Sequence, residues 1–424
     1  MEWSRLSQVR RYVRSSLWVV PIVTMPLALV TSRILRSIDP WLGWHFLDLS
    51  PTGARATLEL IVTAALSFVV FTFGSLLVAI QVASSQLTPR IIATTLLRDS
   101  VVKYTVSLFI FTLLFALTAQ NRIQSTVPEL VVFVAALLGI ACFAAFFYLI
   151  DYASRLLRPI SILRHVAESG LDVIRNVYPD LTPGAERSEP SALGRPKFVM
   201  VHQGTSGIVL TVNTDKLAAA AARLGGVIEV VPQMGDFVAT DEPVFKLYGK
   251  AESADKKALS AMLDLGSERT MEQDPTFAFR IVVDIALRAL SPAINDPTTA
   301  VLAIDQLHRM LRSVGNRNLH TDEILDSSGR LLVIFRTPNW VDFVKLAFSE
   351  IRHFGSDQLQ IVRRLRSMTE NLIDTLPAHR HVALQQELDL IDRDIEKNFT
   401  HNEDLALARA ADPQGLGGRA GARG

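Results

Sequence analysis

The chain has almost no cysteine: one thiol, Cys142, in 424 residues, and it lies inside an apolar run. No intrachain disulfide can form, so folding does not depend on an oxidising compartment. An excess of either charge is also missing. Lysine and arginine number 43 against 42 acidic residues, a formal net charge of +1. A nucleic-acid binder presents a strongly basic face, so that class is excluded. Catalytic signatures are absent as well: no Walker glycine loop, no G-x-S-x-G elbow, no H-E-x-x-H pair and no kinase string. His379 and His381 stand two apart between helices, too few ligands for a metal. The sequence therefore gives no ground for an enzyme, a cofactor or a metal centre.

What is present is hydrocarbon, concentrated before about residue 150. A bilayer core of roughly 30 Å needs about 20 apolar residues in helical form. Four segments qualify: residues 17–35, 57–83, 104–119 and 128–152. Pro21 and Pro26 lie inside the first, where a membrane helix tolerates them. Arg5, Arg10, Arg11 and Arg14 precede that run, but Thr31, Ser32 and Arg33 lead straight into Ile34 with no small-residue cleavage site. The run is read as a retained helix, not a signal peptide.

Orientation follows from the lysine and arginine bias. One side holds Arg5, Arg10, Arg11, Arg14, Arg90, Arg98, Lys103, Arg155 and Arg158; the other holds Arg33, Arg36, Arg55 and Arg122. The larger set marks the cytoplasm, so both termini are expected there. Trp41 and Trp44 suit the outer interface. Residues 88–99 read as a short amphipathic helix along the inner face, or a capped connector.

The second span carries an unusual pattern. Ser67, Gly74, Gln81 and Thr88 repeat every seven residues, and with Thr63 and Ser85 they fall within about 60° of one another on a helix. Polar groups facing lipid are costly. The stripe therefore packs against another helix or lines a path for an ion or small solute. No span has a lysine, arginine or aspartate near its middle, so a proton-relay or ion-pair transporter is not supported.

Beyond the spans, a juxtamembrane helix and linker (153–196) is expected to continue the fourth span. A small β-rich module (197–250) follows, with strands near 198–201, 206–212, 227–231 and 244–247 and a helix at 214–224 capped by Thr214. Residues 251–400 read as a helical domain with one strand at 331–335, in which Arg363, Arg364 and Arg366 face water. Residues 401–424 read as a disordered tail. The fold class is membrane α-helical with four transmembrane helices, followed by a cytoplasmic α+β region.

Within the helical domain, Asp274-Pro275 and Asp296-Pro297 each place a capping carboxylate before a proline at the first helical position. The strings ALSPAINDPTTA (289–300), EQDPTFAFRIVVDIA (272–286) and IQVASSQLTPR (80–90) resemble the bacterial membrane family called domain of unknown function 2254. The resemblance implies an inner-membrane location and this architecture; it implies no activity. Arg280, Asp284, Asn295, Asp296 and Thr299 are a candidate pocket for an anion or small ligand at a helix N-terminus. The plain alternative is two caps and an i,i+4 ion pair.

Three functions are weighed, of which an enzyme with a site assembled from distant residues ranks last because no catalytic motif supports it, and two from different classes fit these residues. One is a homo-oligomeric channel lined by the second span, with a cytoplasmic gate or vestibule. The other is a membrane-anchored ligand sensor or scaffold without permeation activity. Orientation is testable directly. A fluorescent reporter fused after residue 170 is expected to light up in the cytoplasm, and alkaline phosphatase inserted near residue 45 to be active outside. The reverse pattern overturns the assignment.

Overall fold

The computed structural model describes residues 18–42, 50–86, 100–123, 127–156, 158–181, 193–271, 273–319 and 322–417, with the backbone alone described at 42, 82–86, 156 and 159. The chain divides into an N-terminal unit of residues 5–162 and a C-terminal unit built from residue 163 onward.

Four helices make the N-terminal unit: α1 (Val19–Leu42), α2 (Pro51–Gln86), α3 (Ser100–Gln120) and α4 (Glu129–Leu156). All four are long and apolar enough to cross a membrane. They outrun the expected spans because hydropathy marks only the hydrocarbon part. The helices continue through polar ends, with Arg36 and Asp39 in α1 and Thr52 and Arg55 in α2. Half of the α3 span is buried, against 17–22% for the others, so α3 is the central helix and packs on all three neighbours. Small side chains permit that closeness: Ala116 and Ala119 of α3 meet Ala28, Leu58 and Ala135 in one cluster. Deeper along the bundle, Phe68 stacks on Phe146 at 4.4 Å and tilts onto Phe109 at 5.5 Å. At one end, Arg36 Nη2 donates to the Arg122 carbonyl (3.2 Å) and Arg55 to the Ile123 carbonyl, while Asp39 accepts from Leu130 N (2.8 Å). These contacts supply partners that a helix terminus lacks.

The expected continuation of the fourth span is broken. α4 ends at Leu156, and a separate helix α5 runs Pro159–Val177. The residue before a proline avoids the helical region, and here that residue is Arg158, directly before Pro159. The expected helix at 88–99, the arginines before residue 18 and Trp44 lie outside the described residues.

The C-terminal unit is α+β. Its strands are β1 (Phe198–Val201), β2 (Gly207–Val212), β3 (Gly226–Val230), β4 (Phe237–Val238), β5 (Pro243–Gly249), β6 (Leu263–Gly266), β7 (Glu323–Leu325) and β8 (Leu331–Phe335). They form a five-stranded sheet, β1-β5-β3-β8-β7, and a three-stranded sheet, β4-β2-β6. Helix α6 (Thr214–Leu224) covers this core through Leu217 and Ala221 against Ile228, Phe245 and Val333. Its cap is Asn213, which accepts from Lys216 N, in place of Thr214. Strands β6 and β7 were not legible: four and three residues show too little alternation, and each is held by its neighbour's ladder.

A helical layer completes the unit: α7 (Lys256–Ser260), α8 (Pro275–Ala289), α9 (Pro297–Gly315), α10 (Trp340–Gly355), α11 (Leu359–Thr375), α12 (His381–Asn398) and α13 (Asn402–Arg409). Phe279 of α8 meets Phe343 of α10 at 5.2 Å. Gly170 lets α5 approach closely, since a Cβ there would stand 2.7 Å from Ala278 and 2.9 Å from Met310.

Two expectations fail together. Arg363, Arg364 and Arg366 do not face water; all three are buried. Nor is 401–424 wholly without structure. Beyond α13 the chain returns over α11, and Arg363 donates to the carbonyls of Ala410 (3.0 Å) and Gly417 (2.9 Å). Arg364 pairs with Asp305, and Arg366 with Asp392 and Glu370. Each buried cation thus has hydrogen-bonded acceptors, without which burial would be prohibitive.

Close backbone packing gives a test. In Gly226→Ala a Cβ would lie 2.4 Å from both Ala251 N and Tyr248 O, backbone atoms that cannot rotate away. The cost is about 2 kcal/mol, a fall in Tm of about 4–8 °C for a unit of this size. Equal melting of Gly226→Ala and the wild type would refute the contact.

Candidate functional site

The first candidate set lies on α2. With Thr63 as origin and about 100° per residue, Ser67 lies near 40°, Gly74 near 20° and Gln81 near 0°. Ala54, Leu58, Ala65, Phe68, Thr72 and Ala79 fall between about 140° and 220°, and all are buried in the bundle. Thr63, Ser67, Gly74 and Gln81 are all exposed. The polar line is therefore diametrically opposite the face that α2 packs on its own chain. Ser67 Oγ donates back to the Thr63 carbonyl (2.8 Å), which satisfies the hydroxyl inside the helix. A Cβ at Gly74 would meet nothing within 4 Å. Leu77 and Val78, both exposed, flank the line. The side chain of Ser85 and the whole of Thr88 lie outside the described residues.

The second set is split by the structure. Arg280 bonds Asp284 one turn on (2.5 Å) and also reaches across to Glu350 of α10 (2.7 Å). Burial alone would lower the basicity of Arg280; the bonds to Asp284 and Glu350 hold it above its ordinary value. Its positive charge is already matched by two carboxylates. Nine residues on, about 13 Å along the axis, α8 ends and the turn begins. There Asn295 adopts a left-handed φ of 48°, and Asp296 N donates to the Ala289 carbonyl (2.8 Å). The Asp296 carboxylate accepts from Thr299 N (3.0 Å) and Thr299 Oγ1 (2.5 Å). It fills the anion position at the start of α9 itself. The five residues serve two separate local structures, an interhelix ion pair and a capped turn.

Spacing within one helix pointed to Arg280 and Asp284 but gave no sign of Glu350, 66 positions beyond Asp284. It also missed a polar cluster between α9 and α11. His308 Nε2 donates to Asn371 Oδ1 (2.8 Å), and Nδ1 accepts from Arg364 Nη2 (3.3 Å). Arg364 Nε in turn donates to Asp305 (2.7 Å). Three-residue spacing of Asp305 and His308 was the available signal, and their partners on α11 carried none. Burial holds the imidazole below its ordinary 6.5; the Asn371 bond opposes this, Arg364 and Arg312 add to it, and Asp305 opposes it. Among the described residues no group of three or more His, Cys, Asp or Glu could hold a metal.

Because the folded chain resists protonating His308, the unfolded chain takes up the proton first. This contribution to stability is complete above about pH 6.5 and is lost as pH falls through the lower folded value. Tm is expected to fall as pH drops below about 6.5, and His308→Gln to flatten that slope. An equal slope in both proteins would remove His308 as its cause.

Relatives extend along nearly the whole chain. Uncharacterised proteins of Mycobacterium tuberculosis and Mycobacterium bovis are each 24% identical over 428 residues, spanning 96% of this chain and 81% of the relative. No solved structure matches. The family model described as Predicted membrane protein (DUF2254) matches residues 14–371, and the chain belongs to that family.

Proposed function

We propose that the protein is a homo-oligomeric channel of the bacterial inner membrane, with both termini cytoplasmic. In this reading copies meet around the outward line of α2, which borders a path for an ion or small solute. The C-terminal unit then forms its vestibule or gate.

One observation carries the reading: Thr63, Ser67, Gly74 and Gln81 face away from their own bundle. Gln81 closes the α2 span with an outward amide, and within the span a glycine without a neighbour gains nothing from its small size. Both make sense when a second α2 lies alongside. A membrane-anchored sensor or scaffold is the second reading. It is favoured by the matched charges around Arg280 and the capped turn at Asp296, which build a rigid C-terminal platform.

The test uses the full chain with Cys142→Ser as background. Gly74→Cys is expected to form disulfide-linked dimers in membranes, while cysteine at Ala65, on the packed face, is not. In liposomes the wild type is expected to pass ions, with Gln81→Leu lowering the flux about tenfold, the scale of one lost polar contact of about 1.4 kcal/mol. Dimers without flux favour the scaffold. Absence of both results overturns the assembly.

A further inference from the structure

We propose that a groove between α2 and α4 is a binding site for one acyl chain of a membrane phospholipid. The groove is open along one side, has a volume of about 190 Å³ and is lined almost wholly by carbon. Its floor is Ala64 and Ala65 of α2 with Ala136 and Gly139 of α4, and its rims include Leu60 and Ile140. Both rim residues are more than 60% exposed. The two helices pinch together at Gly139, where a Cβ would stand 3.2 Å from Ile61. On either side of that point the alanines leave the gap unfilled.

The polar atoms in the lining are committed elsewhere. Thr57 Oγ1 donates to the Gly53 carbonyl (2.9 Å), and Cys142 Sγ donates to Thr112 Oγ1 (3.2 Å). Water needs two to four polar partners to stay in such a space, so it is excluded, and so is an ion. The groove lies along helices apolar enough to cross a membrane. At that depth the surrounding molecule is the acyl chain.

The dimensions select one leaflet. On α2 the lining runs from Thr57 to Phe68 and on α4 from Ala136 to Phe143, about 16 Å and 10 Å of helix. The α2 span is Pro51–Gln81 and the α4 span Glu129–Arg155. In both, the lining begins in the first half and ends one or two residues past the midpoint. Both helices start from the same side, since one intervening span separates them. The groove therefore matches about half of a 30 Å hydrocarbon core, the reach of a single acyl chain from that leaflet. The same leaflet is headed by Arg36 and Arg55, each bonded to a carbonyl, by Arg122, and by the carboxylates Asp39 and Glu129; a cation there can meet a lipid phosphate.

Full-length protein would be extracted in mild detergent, washed by size exclusion, and its retained phospholipid quantified per chain by mass spectrometry. The wild type is expected to keep bound lipid. Ala64→Leu and Ala136→Leu, each filling the floor, are expected to lower it about tenfold by displacing about two methylenes. Two variants on different helices, each with its Tm measured, separate displacement from misfolding. A photoreactive benzoylphenylalanine at Ile140, activated after purification, is expected to yield a lipid adduct. A crosslinked dimer at that position, or equal lipid in wild type and both folded variants, overturns the proposal. The result is independent of whether the protein conducts.

Discussion

Hydrocarbon offers no hydrogen-bond partner, and that constraint organises the N-terminal unit from end to end. Backbone groups are satisfied by making every membrane-depth segment helical. Helix ends meet polar partners only where the spans finish, as with Arg36, Arg55 and Asp39. Hydroxyls within the spans turn back on their own carbonyls, as Ser67, Ser107 and Thr118 do. Thr72 Oγ1 is buried without such a bond, and Cys142 reaches across to Thr112; within the unit, helix association otherwise rests on shape. Alanines and Gly139 set how closely α2, α3 and α4 approach, and the phenylalanine stack around Phe68 fills the remaining width.

The C-terminal unit solves the reverse problem. It has abundant charge, and it buries some. Arg363, Arg364, Arg366 and Arg380 are all enclosed, and each is held by carbonyls or carboxylates from a different element. Arg380 closes the end of α9 by donating to the Gly315 and Arg317 carbonyls, and its guanidinium lies over the Trp340 ring. A guanidinium can join several acceptors at fixed geometry while its stem adds packing. These bonds fix where α9, α10, α11 and the returning chain sit against one another.

The sequence disclosed what depends on local rules. Four spans, the strand at 331–335, the helix at 214–224 and the Asp-Pro helix starts were all readable, because hydropathy, alternation and capping act over a few residues. The heptad line on α2 was readable too, and its outward direction was not. That direction depends on which face α3 and α4 take up, a property of packing. For the same reason the arginines of α11 looked like solvent residues: their acceptors at Ala410, Gly417, Asp305 and Asp392 lie 26 to 59 positions away. Glu350 as a partner of Arg280 belongs to the same class of long-range pairing.

The clamp on the chain after α13 bears on the order of events during synthesis. Chains fold as they emerge, N-terminal parts first. Among the described residues, Arg363 finds its carbonyl acceptors on Ala410 and Gly417. Until those residues leave the ribosome, the guanidinium must stay hydrated, and α11 cannot settle its buried face. The four apolar helices can therefore reach the bilayer before the C-terminal unit locks, since that closure waits on residues about 50 positions beyond Arg363.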